Sequence, residues 1–302
     1  MDRRVKLALI GTGASIGLLV LCWLLAFHVG FAARADVSVL NGFTGLNRGS
    51  TRELAYRIAD LCSPSPYVYL AAVPVLVALL RRRPRVALAI LVILIGANAS
   101  TEVLKHLLAA SRPAPLPDAL VAITKGSFPS GHATAAMSLA LCCVIAASAR
   151  WRPWIAALGA TFTVAVSYSF LSLGWHYPSD VCAGYLVATT WTLLGIAGLL
   201  AVERRRVPGP ADGTRRSVLE ALEPSLAAVL GALALVIVVA IARPHTVVSY
   251  ARFHKGFIVG AVIIAALALI LATALVLALR AFSGSGRAPK GALRRGSPHG
   301  SG

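Results

Sequence analysis

Charge is what this chain has least of. Asp, Glu, Lys and Arg make up 13% of its 302 residues, against about 25% in a soluble domain. Acids are scarcest: 11 Asp and Glu stand against 29 Lys and Arg, and no acidic cluster resembles a metal site. The five cysteines (Cys22, Cys62, Cys142, Cys143, Cys182) lack metal-ligand spacing. Cys142-Cys143 lies inside an apolar run and reads as small hydrophobic filling, so no disulfide framework follows. There is no internal repeat. These shortages exclude an ordinary soluble domain, a metal-cluster protein and a repeat array.

What is abundant is apolar sequence. The chain is 58% hydrophobic with mean hydropathy +0.78, and most of it falls into runs approaching the 20 or so residues that cross a bilayer. Spans are expected near 7–29, 66–80, 86–108, 133–149, 154–173, 181–202, 225–242 and 257–279. The expected fold is therefore an all-α polytopic membrane helix bundle. The first run is read as a retained anchor, although Ala33-Arg34-Ala35 resembles a cleavage site, because its apolar length exceeds that of a secretory signal.

Most basic residues fall in alternate connections: Arg3, Arg4 and Lys6; Arg81, Arg82, Arg83 and Arg85; Arg150 and Arg152; Arg204 to Arg206, Arg215 and Arg216; then Arg280 and the tail. With eight spans these share one side, which the positive-inside rule assigns to the cytoplasm together with both termini. The net charge of +18 is thus topological, with some attraction to anionic lipid, and nucleic acid is not an expected partner.

Residues 30–65 are expected to form an outer connection, in which Ser50-Thr51-Arg52-Glu53 reads as a capping box opening a short helix through Cys62. The domain plan is a six-span core over 1–202, a cytoplasmic linker over 203–216 rich in Pro and Gly, a two-span C-terminal hairpin over 217–280, and a disordered basic tail over 281–302.

Three polar clusters sit at span ends on the expected outer face. Lys105 and Arg112 are about two helical turns apart, placing both on one face at the end of the third span, which Pro113 closes. Glu102 is one turn from Lys105 and is a candidate partner for it. Ser130-Gly131-His132 opens the fourth span, where free N–H groups and the helix dipole suit an anion; the plainer reading is a serine cap. His176 and Asp180 flank Pro178 at the start of the sixth span. An aspartate that accepts from one imidazole nitrogen fixes the tautomer and leaves the other free to attack.

Lys105-x6-Arg112-Pro113, Pro129-Ser130-Gly131-His132 and His176-x3-Asp180 resemble the three signatures of the type 2 phosphatidic acid phosphatase superfamily, over roughly residues 60–202. The resemblance implies a membrane phosphatase acting on a lipid phosphate or diphosphate, with no metal or other cofactor. It implies His176 as nucleophile forming a phosphohistidine, Asp180 as its support, and His132 as general acid. Lys105, Arg112, Ser130 and the Gly131 amide would hold the phosphoryl oxygens.

One position departs from the pattern. The third signature begins Ser-Arg, whereas this chain has Ser169-Phe170, and one such contact is worth a few kcal/mol in the transition state. Arg243, Arg252 and Lys255, with His245 and His254 nearby, are candidate substitute cations on the outer loop of the hairpin; an interfacial basic loop is the alternative. The departure also leaves open a weak or inactive relative that binds lipid phosphate without turning it over. A transporter rests only on Glu102 and Lys105 near a span end.

Overall fold

A computed structural model of the chain describes residues 1–47, 49–112, 123, 126–203, 218–242 and 244–284. It is built from helices: α1 (Arg3–His28), α2 (Gly30–Thr44), α3 (Ser50–Asp60), α4 (Pro64–Leu80), α5 (Pro84–Leu107), α6 (Gly131–Ala146), α7 (Arg152–Ser172), α8 (Pro178–Glu203), α9 (Val218–Ala242), α10 (Pro244–Phe253) and α11 (Lys255–Gly284). Among the described residues there is no strand. The 203–216 linker beyond Glu203, Arg243, Pro113 and the tail beyond Gly284 lie outside the described residues.

The organising element is α6. At 16 residues it is only about 24 Å long, shorter than the bilayer core of about 30 Å. It does not have to match lipid, because α4, α5, α7, α8 and α11 enclose it and nearly every side chain from Ala133 to Ala146 is buried. Small residues let backbones approach closely in such a setting. A Cβ at Gly184 of α8 would stand 2.7 Å from the Ser130 carbonyl, and one at Gly159 of α7 would stand 2.8 Å from the Ala140 Cβ. Polar bonds cross the same contacts: Tyr67 Oη lies 3.2 Å from Ser138 Oγ and accepts from Asn98 Nδ2 at 3.1 Å, joining α4, α5 and α6.

Five helices (α1, α5, α7, α8 and α11) are long and apolar enough to cross a membrane, or six if α3 and α4 form one span bent by 55°. The expected eight also counted α6 and α9, whose apolar stretches Gly131–Ala146 and Leu222–Val238 are shorter. α1 lies along α8, and Ser15 Oγ donates to the Leu186 carbonyl at 3.0 Å. α11 packs on α7, α2, α6 and α8 through a buried stripe of Ile264, Ala268, Ala272 and Val276.

Two local expectations are corrected. The outer connection over 30–65 is mostly helical: α2 buries Ala33, Asp36, Leu40 and Phe43, a 3–4 residue spacing that marks one helix face. Ser50 is not a cap. α3 starts at Ser50 behind Gly49, whose φ is +49° and which makes no side-chain cap bond. Glu53 turns forward to Arg57 Nε at 2.8 Å instead of back to the helix start.

Candidate functional site

The chain reaches His176 through a tight helix ending. α7 stops at Ser172, Gly174 has φ +73°, Gly174 N donates to the Leu171 carbonyl and Trp175 N to the Phe170 carbonyl, both at 3.0 Å. This is a Schellman ending with glycine in the left-handed position. It turns the chain across the helix end and sets His176 just ahead of α8, which opens with Pro178 in its first turn.

His176 Nδ1 lies 3.1 Å from the Ser127 carbonyl and 3.5 Å from Asp180 Oδ2. Both neighbours are acceptors, so in the neutral imidazole Nδ1 carries the proton and Nε2 keeps its lone pair. The closer support comes from a backbone carbonyl that the sequence did not single out. Asp180 is fully buried and spans the cluster: Oδ2 accepts from Tyr177 N at 3.0 Å, Oδ1 accepts from Arg112 Nη2, and its backbone carbonyl accepts from Ser130 N at 3.0 Å. That last bond ties the start of α6 to the start of α8.

Arg112 is not on the α5 face expected for it. α5 ends at Leu107, and the chain leaves the helix so that the guanidinium can enter a buried acidic site that a straight continuation would miss. Nη1 donates to Asp36 Oδ2 at 2.6 Å and Ser179 Oγ at 2.9 Å, and Nη2 to Asp180. Its Cζ lies 4.0 Å from the Tyr177 ring centroid and 4.6 Å from that of Phe27. Asp36 also accepts from Ser179 N at 3.0 Å and Ser179 Oγ at 2.5 Å. Burial pushes Asp36 up to about 6, against the opposing pull of Arg112 and Ser179. Asp36 and Ser179 were missed as site residues. The available signal was an acid on the apolar face of α2.

Lys105 remains on α5, where Nζ donates to Glu102 Oε1 at 2.7 Å, the pairing expected of it. Its Nζ would be 3.2 Å from a Cβ on Gly131, so the ammonium reaches the first turn of α6. Ser130 Oγ caps that helix, accepting from Ala133 N at 3.3 Å. Thr134 Oγ1 donates to the Ser130 carbonyl at 2.9 Å and accepts from Thr101 Oγ1 at 3.1 Å.

His132 follows in the first turn of α6. Its ring centroid is 6.3 Å from that of His176, and its Nε2 is buried without a hydrogen-bond partner among the described residues. Phe170 is fully buried against both imidazoles, 5.8 Å from His132 and 5.3 Å from His176. A phenyl ring therefore occupies the position of the expected arginine. The structure thus gathers His176, Asp180, Arg112, Ser130, Gly131, His132 and Lys105 at one end of the bundle. It does not bring in Arg252 or Lys255, which are exposed at the junction of α10 and α11 with no described contact to His132 or His176.

Residues 86–204 match the model of the PAP2 superfamily. The crystal structure of a transmembrane PAP2 type phosphatidylglycerolphosphate phosphatase from Bacillus subtilis is similar in fold, with a TM-score of 0.54 and 20% sequence identity over 65% of this chain and 98% of that one. No curated protein matches the chain. The matched segment, residues 86–204, carries all three polar clusters.

Proposed function

We propose that the chain is an integral-membrane phosphatase hydrolysing a lipid phosphate or diphosphate, either a polyprenyl diphosphate or a glycerophospholipid phosphate, through a phosphohistidine on His176. The observation that carries this reading is the state of His176: Nδ1 is held by the Ser127 carbonyl and Asp180, and Nε2 is left with its lone pair beside the N-terminus of α6.

In this reading Nε2 attacks phosphorus. An N–P bond forms as the P–O bond to the leaving alkoxide or phosphate breaks, and His132 gives that oxygen a proton. Water then attacks the phosphohistidine while His132 takes its proton, which releases phosphate and restores Nε2. Lys105 and the free N–H groups of Gly131 and His132 neutralise the phosphoryl oxygens, the main demand of phosphoryl transfer. Arg112, with both Nη atoms engaged, acts by holding Asp180 behind His176. No step calls for a metal. The site faces the outside of the membrane, with both termini in the cytoplasm.

Phe170 favours a second reading, a relative that binds lipid phosphate and turns it over weakly or not at all, because the ring fills the cation position. Phosphate release from a panel of lipid phosphates and diphosphates separates the two. Wild-type protein should release phosphate and His176→Ala should not, while remaining folded and inserted. Binding without release by wild type would support the second reading, and equal release by His176→Ala would end the phosphohistidine mechanism.

A further inference from the structure

At the other end of the bundle two short turns that carry arginines are joined by a hydrogen bond. α4 ends at Leu80 with Arg81 as its C-cap; Arg82 takes φ +54°, and Arg83 N folds back to the Ala78 carbonyl at 2.9 Å before α5 begins at Pro84. Arg81 Nη1 donates to the Ala146 carbonyl at 3.1 Å, which pins this turn to the one between α6 and α7. Arg152 opens α7 there, and its Nε is buried without a hydrogen-bond partner among the described residues. Among the described residues, the charges that act on Arg152 are those of Arg83, Arg81 and Arg280.

A buried N–H with no acceptor, among like charges, is unfavourable unless something supplies oxygens. α5 begins at Pro84 and α7 at Arg152, and each start adds the positive end of a helix dipole to this end of the bundle. The surroundings indicate the source of those oxygens. Leu80 is 83% exposed and Trp151 and Trp154 are about half exposed, an apolar and aromatic surface of the kind that meets lipid at a membrane interface. From Arg152, the 21 residues of α7 run about 30 Å before the chain reaches His176, so this anion would be separate from any phosphate held there.

We propose that Arg81, Arg83 and Arg152 bind the headgroup phosphate of an anionic phospholipid at the end of the bundle opposite His176. The ligand is a membrane lipid whose tails lie against Leu80, Trp151 and Trp154. It does not depend on the phosphatase reading.

Full-length protein in neutral detergent tests this by thermal unfolding during titration with phosphatidylserine, phosphatidylcholine or inorganic phosphate. Phosphatidylserine carries a phosphodiester and no terminal phosphate, which separates the readout from turnover. It should raise the midpoint of wild type saturably, and phosphatidylcholine and inorganic phosphate should not. Arg152→Gln and Arg83→Gln should each weaken the apparent phosphatidylserine affinity about tenfold. Arg83 is exposed, so its variant folds even if Arg152→Gln does not. Equal gains from phosphatidylserine and phosphatidylcholine, or wild-type affinity in Arg83→Gln, would overturn the site. A matching gain from inorganic phosphate would overturn its assignment to lipid.

Discussion

Arg112 and Asp36 meet at 2.6 Å although 76 residues separate them. Arg112 comes from the PAP2 segment and Asp36 from α2, ahead of it. Their side chains are 6% and 9% exposed, and the second carboxylate on Arg112, Asp180, is fully buried. The guanidinium therefore joins the loop after α5, helix α2 and the start of α8 into one ionic unit behind His176. A buried charge is tolerable only when its partners are all in place, so the unit should act as a whole.

Removing one acid should expose that dependence. Asp36→Ala leaves Ser179 without its acceptor and Arg112 with one carboxylate. It should lower stability by about 3 kcal/mol, the scale for breaking a buried pair, as measured by thermal unfolding in detergent. Arg112→Lys keeps a charge but loses the fork that spans both acids, and should reduce phosphate release at least about tenfold through kcat.

Asp36 also predicts a pH dependence. Its folded value of about 6 lies above its ordinary 3.8, so the folded state holds this proton more tightly than the unfolded state. The stabilisation is present below pH 4 and is lost as pH rises through about 6. Asp36→Asn does not titrate. The unfolding midpoint of wild type, measured relative to that variant, should therefore fall between pH 4 and pH 6.5. A flat difference would remove Asp36 as the titrating group.

Phe170 should matter to packing before chemistry. Its ring is fully buried against His132 and His176, and Phe170→Ala should cost about 3–5 kcal/mol while freeing both imidazoles to change rotamer. Phe170→Leu keeps most of the volume. It should fold with a midpoint near wild type yet release phosphate more slowly.

Three backbone positions offer contrasting tests. Gly174→Ala forces a Cβ into a left-handed turn at φ +73° and should destabilise by about 1 kcal/mol, displacing Trp175 and His176. Arg82 holds φ +54° without being glycine, so Arg82→Gly should leave the fold intact and raise the unfolding midpoint slightly. Gly184→Val is the severe case: even a Cβ would stand 2.7 Å from the Ser130 carbonyl, and α8 must move off α6. Both the midpoint and any phosphatase activity should be lost together.

The expected span at 86–108 is α5, Pro84–Leu107, and that at 181–202 is α8, Pro178–Glu203, because uninterrupted apolar sequence bounded by charge or Pro reports a membrane helix directly. α2 escaped notice because an amphipathic segment of 15 residues interrupted by Arg34 and Asp36 has no run long enough to register. Its signal was periodicity, with Ala33, Asp36, Leu40 and Phe43 on one face. At the site, His132 and His176 were legible from motif spacing, and the Glu102–Lys105 pair from a separation of three residues. The Ser127 carbonyl was not, because a backbone acceptor leaves no trace in residue type.

By itself the sequence determined the membrane class, most helix positions and the three polar clusters, since hydropathy and short-range spacing are properties of contiguous residues. Only the tertiary structure decided that Arg112 turns away from α5 into the two carboxylates, that Phe170 packs on both imidazoles, and that the Nε of Arg152 is buried near other arginines. Each of these depends on which distant side chains share a desolvated space, where ion pairing and packing outweigh local helical preference.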